Sequence, residues 1–290
     1  MGTSTPFGGA GPGSPLIPTW LDDGAAAPAP PAPGGTAPDS SPPAGLPLPP
    51  PDRPPVAKPH DDNRFRGARS SFTRFASSGG SDRANLGRAV SRYVSRSAGG
   101  AANAARRMGA SRTSGASLFG FLSDVQARGA NQALLALNLH GLAGRPIQEI
   151  FLELVDYICP NGGTLDEAIA REAFIETIVD LADLGLTDLD ALTADQLKAV
   201  FELYVTNSIE ARLCNDIAMS LVQIPTSVDA TNNIQEQVHD FIQRGVADAL
   251  ATVSLEGQDL TPARVREVVT SVYESSFAVL KAMGEEEASQ

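Results

Sequence analysis

Arginine is the residue type through which this chain could do chemistry, and it is concentrated in one place. Between Arg64 and Arg112 stand eleven arginines (Arg64, Arg66, Arg69, Arg74, Arg83, Arg88, Arg92, Arg96, Arg106, Arg107 and Arg112), no lysine and one acid, Asp82. A guanidinium grips phosphate or carboxylate through paired N–H donors. In "RFRGARSSFTRF" the arginines alternate with Phe65, Phe72 and Phe75, a pattern that suits phosphate contact plus base stacking. The competing use is docking on acidic protein surface. From Thr113 to Gln290 the chain has nine basic against 27 acidic residues, or −18, beside +10 for the arginine stretch. That asymmetry ranks docking on the chain's own acidic part, or on an acidic partner, ahead of nucleic acid.

The other reactive side chains do not assemble into a site. His60, His140 and His239 are scattered, with no Cys, Asp or His at ligand spacing. Cys159 and Cys214 are too few for a disulfide scaffold and read as buried thiols of a reducing compartment. Glu172, Glu176, Asp180 and Asp183 recur at helical spacing, but the Glu-x-x-His of a di-metal bundle is missing, so they read as a solvated acidic face. No glycine-rich phosphate loop follows a strand. Neither a metal nor a cofactor is expected, and the chain is not expected to be an enzyme.

These residues are carried by three kinds of segment. Eighteen of the 22 prolines lie in the first 60 residues, so residues 1–63 should form a disordered arm rich in Pro, Gly and Ala. Within it "PLIPTWLDD" sets Leu16, Ile17, the sole tryptophan Trp20 and Leu21 before Asp22 and Asp23. Such a cluster has the ingredients of a short docking motif, because tryptophan is enriched at binding hot spots. Gly2 follows a removable Met, and its α-amine, of reference pKa ~7.7–8.0, keeps a nucleophilic neutral fraction near pH 7. Pro6 stands where a myristoylation signal wants Ser or Thr.

The arginine stretch 64–112 reads as a partly helical connector. Ser81 or Asp82 caps a helix with Leu86, Val90, Tyr93 and Val94 on one face and Arg88, Arg92 and Arg96 opposite. From 113 to 283 the pattern is helical, with about six or seven helices and no run alternating with period two. Thr164–Glu167 and Thr193–Gln196 are capping boxes, and Thr261-Pro262 opens the last helix. The helix after Thr164 is expected to bury Leu165, Ala168, Ile175, Ile178 and Leu181. Residues 284–290 form an acidic tail. The fold class is all-α, a bundle-like body preceded by the arm and the arginine segment, and residues 113–283 carry enough caps and apolar faces to predict folding on their own. No apolar run reaches the ~18 residues of a membrane span, and the N-terminus lacks a secretory signal, so a cytoplasmic location is expected.

Taken together, "MGTSTPFGG", "PLIPTWLDD", "RFRGARSSFTRFASSGG", "LGRAVSRYVSR" and "GGAANAARRMGASR" resemble the QatB component of bacterial Qat anti-phage defence systems. The resemblance covers about the first 112 residues. It implies partnership with an ATPase (QatA), a protein similar to the deazaguanine-forming enzyme QueC (QatC) and a TatD-like nuclease (QatD). It also implies an interaction subunit without catalytic activity, in which a QueC-like partner could acylate the Gly2 amine in place of ammonia while residues 15–23 hold the arm.

Overall fold

A computed structural model describes residues 63–159, 163–217, 227–252 and 261–289, all within one unit spanning Pro59–Gln290. Ten α-helices and no strand are found among them. The order is α1 (Arg66–Ser77), α2 (Arg83–Arg92), α3 (Ala101–Arg106), α4 (Gly109–Arg128), α5 (Ala130–Ala136), α6 (Ile147–Ile158), α7 (Leu165–Asp183), α8 (Ala194–Ile217), α9 (Val228–Ala251) and α10 (Pro262–Glu287).

Local chemistry sets many of the boundaries. Asp82 caps α2, its Oδ1 accepting from Asn85 N–H at 3.0 Å. That hydrogen bond, with a second from the Asn85 side chain, holds the Asp82 carboxyl below its usual range. Thr164 and Glu167 form the expected capping box at α7, and Thr193 with Gln196 exchange the same reciprocal bonds before α8. Gly129, whose φ of 82° lies in the left-handed region, separates α4 from α5.

The long terminal helix α10 is the hub and touches α2, α3, α4 and α9. It crosses α2 glycine against glycine. A Cβ on Gly284 would lie 2.5 Å from the Gly87 carbonyl oxygen, and one on Gly87 would lie 2.8 Å from the Gly284 carbonyl oxygen. Only bare backbone allows that approach. Of the residues assigned to an acidic tail, 284–287 are the last turn of α10; Arg83 pairs with Glu287 at 3.4 Å and Arg88 donates to the Ala288 carbonyl at 2.9 Å.

The arginine stretch is not a connector. Phe72, Phe75, Leu86, Val90, Tyr93, Val94 and Met108 are buried in one core with residues of α4 to α10. Arg112 and Thr113, separated by the charge balance, are consecutive residues of α4. Two parts of opposite charge share one interior, because each supplies apolar faces that the other covers. Residues 113–283 lack part of that interior, so the expectation that they fold alone is not supported.

The face of α7 also differs from expectation. Ile169, Ala170, Ala173, Phe174, Thr177, Ile178 and Leu181 point inward, whereas Leu165, Ala168 and Ile175 are exposed. Apolar residues run round most of this helix, and α6, α8 and α4 pack on only one side of it.

Candidate functional site

The arm residues singled out by sequence, Gly2, Leu16, Ile17, Trp20, Leu21, Asp22 and Asp23, lie outside the described residues, as does His60. The arginines lie within them, and most are engaged by the chain itself. Arg69 donates through Nε and Nη2 to the Asp216 carbonyl at 3.3 and 3.0 Å. Arg92 reaches Ser71 Oγ at 2.8 Å, Arg112 reaches Thr270 Oγ1 at 3.1 Å, and Arg106 bonds Asn103 on its own helix. Arg66, Arg74 and Arg96 are exposed and make no side-chain hydrogen bond or ion pair among the described residues.

The densest polar assembly centres on Asp216, near the end of α8. Its Oδ2 accepts from Tyr93 Oη at 2.9 Å and from Arg107 Nη2 at 3.2 Å, with Arg212 Nε 3.4 Å away. Arg212 turns its other end to Asp166, whose Oδ2 also accepts from Ala110 N–H at 2.7 Å. Burial, with the Asp216 charge beside it, pushes the Tyr93 hydroxyl far above its usual pKa, so it stays a donor. The guanidinium carbons of Arg64, Arg69 and Arg107 stand 4.6, 5.4 and 5.4 Å from the centre of the Phe65 ring. Four guanidiniums therefore surround two carboxylates and one aromatic ring. The assembly ties α1, α3, α7 and α8 together; a buried carboxylate needs such partners.

Sequence reasoning found the arginines but missed Asp216, Asp166 and Arg212. The one available signal was the i, i+4 pair Arg212 and Asp216 within a largely apolar helix. The interleaved phenylalanines are also accounted for. Phe65, Phe72 and Phe75 are at most 8% exposed, so their faces are closed to a stacking base.

Elsewhere the reactive groups are subdued. Burial raises the Cys159 thiol and pushes Cys214 up to about 12, leaving both as thiols at neutral pH. His239 Nδ1 lies 2.9 Å from Glu210 Oε2, and that hydrogen bond raises its pKa. His140 is exposed. Among the described residues no three His, Cys, Asp or Glu side chains gather at metal-binding range, and no helix is long and apolar enough to cross a membrane. A cavity of about 510 Å³ opens between α4, α5, α6 and the start of α10, lined by Phe121, Leu137, Tyr157, Val265, Asp124 and Arg266 among others. It is mainly apolar and brings no acid–base pair onto a common point.

The geometry is thus that of a packed helical body whose polar groups hold helices together. In comparison with known families, a model described as QatB, the Qat anti-phage system associated protein, matches residues 99–280. That interval takes in more than half of the chain and overlaps the motifs that carried the resemblance only at Gly99–Arg112. Neither the comparison with curated proteins nor that with solved structures gives a match. The chain belongs to the QatB family of the Qat anti-phage defence system.

Proposed function

We propose that this chain is a non-enzymatic interaction subunit of a Qat defence complex whose Gly2 amine is presented to the QueC-like component for modification. Membership of a defence-system family supports the first half. The observation that carries the choice over a nucleic-acid platform is the fate of the basic stretch. Arg69, Arg83, Arg88, Arg92, Arg107 and Arg112 are spent on acceptors of the same chain, and the phenylalanines between them are buried. Phosphate binding needs guanidiniums free to replace counterions.

The second half rests on amine chemistry. A QueC-like enzyme activates a deazaguanine carboxylate with ATP for attack by ammonia. When the Gly2 nitrogen attacks instead, an amide C–N bond forms and the bond to the activating phosphate oxygen breaks. The surplus amine proton passes to a base. Gly2 is the least hindered acceptor, and Leu16, Ile17, Trp20 and Leu21, with Asp22 and Asp23 facing a basic rim, supply the grip that brings it to the partner.

Intact-mass analysis of the chain expressed with and without the other Qat components tests this. A mass increase confined to the N-terminal peptide, dependent on the QueC-like component and abolished in Gly2→Pro, is the expected result. An unmodified N-terminus in the complete system, with defence at full strength in Gly2→Pro, would overturn the modification. Trp20→Ala should weaken capture of the QueC-like component while the fold stays intact.

A further inference from the structure

α7 carries two apolar faces, and the structure uses one. On the outer side, Leu165, Ala168, Glu172, Ile175, Val179 and Ala182 alternate in steps of three and four, the spacing of a seam that receives a second helix. All six are exposed; Ile175 and Val179 keep 44% and 52% of their surface in water. α6 runs antiparallel alongside. Arg171 pairs with Asp156 at 2.7 Å at one end, Gln148 donates to the Leu186 carbonyl at 3.0 Å at the other, and Phe151 stacks on Phe174 between them. Leu152 of α6, 58% exposed, is therefore level with the Ile175–Val179 stretch. A solvent-facing helix normally turns a polar face outward, so a second stripe that is apolar at five of six positions needs a cover.

We propose that this α6–α7 face receives an amphipathic helix of another protein of the defence complex, one that flanks its apolar stripe with lysine or arginine. Charge selects the occupant. Glu172 lies within the stripe and Glu149, Glu153, Asp156 and Glu176 edge it, against only Arg145 and Arg171. A second copy offering the same face would set acid against acid across a two-fold axis. The chain's own basic helices α1 and α2 bury their apolar residues and have no stripe to offer in return. A cationic amphipathic helix meets both the apolar and the acidic requirement.

The inference rests on the chain's being an interaction subunit and not on the fate of Gly2. The test uses the full chain co-expressed with the other Qat components. Ile175→Ser/Val179→Ser should lower the amount of co-purifying component about ten-fold or more, with the thermal midpoint of the isolated chain unchanged. Glu172→Lys/Glu176→Lys should do the same through charge, and added salt should weaken the wild-type complex. Undiminished association in both folded variants would overturn the proposal. Association lost in the serine variant but indifferent to salt and to the lysine variant would exclude a basic occupant and overturn it too. So would a wild-type dimer that the serine variant makes monomeric. Poor maleimide labelling of Val179→Cys in the isolated chain would show the face already covered by the chain itself, with the same consequence. No co-purification by wild type would instead remove the interaction-subunit reading, and this proposal with it; intact mass of the same samples reports Gly2 separately.

Discussion

Helices α2 and α7 make opposite use of similar resources. The basic helix α2 buries Leu86, Ala89 and Val90, and sends Arg83, Arg88 and Arg92 to Glu287, the Ala288 carbonyl and Ser71. Nothing apolar on it is left for a partner. The acidic helix α7 buries Phe174, Ile178 and Leu181 yet keeps Ile175, Val179 and Leu165 in water. Judged by charge, the arginine stretch looks like the interaction surface and the acidic helices like the body. Packing reverses that: most of the arginines are internal ties, and the unmet demand is apolar and lies on α7. The charge asymmetry is met here largely by uncharged acceptors: Arg83 pairs with Glu287 and Arg107 with Asp216, while Arg69, Arg88, Arg92 and Arg112 reach carbonyls and hydroxyls of the same chain.

The severest way to break the comparison is to remove the basic helices. A chain beginning at Thr113 loses Phe72, Phe75, Leu86, Val90, Tyr93, Val94 and Met108 from the core. At ~1.5–3 kcal/mol for each large buried side chain, that loss is as large as the whole ~5–15 kcal/mol stability of an ordinary domain. Such a chain should show no cooperative thermal transition; a sharp helical melt would restore the arginine stretch to the status of a connector.

Asp216→Ala comes next. It strands the buried Tyr93 hydroxyl, removes the carboxylate partner of Arg107 and leaves Arg212 with Asp166 alone. Loss of one member of a buried ionic group costs about 3–5 kcal/mol, to be read as a fall in the urea midpoint at unchanged slope. Gly284→Ala pits ~1 kcal/mol of gained helix propensity against a Cβ driven into the Gly87 carbonyl. The clash should win by about 1–3 kcal/mol, whereas the same change at helical, half-buried Gly120, where a Cβ would meet nothing within 4 Å, should stabilise. Thr164→Ala removes the capping box of α7 and should cost about 1 kcal/mol.

The smallest effect is a pH dependence. Glu210 raises the His239 pKa above the unfolded value near ~6.5. The pair therefore contributes its full stability below that unfolded value and loses it as pH rises through the folded one. Both side chains are partly exposed, so the contribution is about 0–1 kcal/mol. Glu210→Gln should melt below wild type in mildly acid buffer and level with it in alkaline buffer.

The features legible in the sequence were those decided within a few residues. Asp82, Thr164 and Thr193 cap where their spacing said they would, and Thr261-Pro262 opens α10. α7 was misread because apolar residues lie on most of its circumference, so periodicity alone could not choose between Ile175 and Phe174. The partners of the arginines were illegible for a different reason. Arg69 meets a carbonyl 147 positions away and Arg88 one 200 positions away, and no local pattern encodes which acceptor a long cation will reach. The α2–α10 crossing was hidden likewise, since Gly87 and Gly284 look like ordinary weak points of their helices until the two are brought together.

The claim on which the rest depends is that Arg64–Arg112 belongs to the cooperative fold. Native-state hydrogen exchange of the full chain measures it most directly. The account predicts that amides of Phe75, Leu86 and Val90 open only with global unfolding, at the same free energy and denaturant dependence as those of Val272 and Phe277 in α10. Exchange of α1 and α2 through a separate, lower-energy opening while α10 stays closed would contradict it, and would return the arginines to a detachable segment free to bind elsewhere.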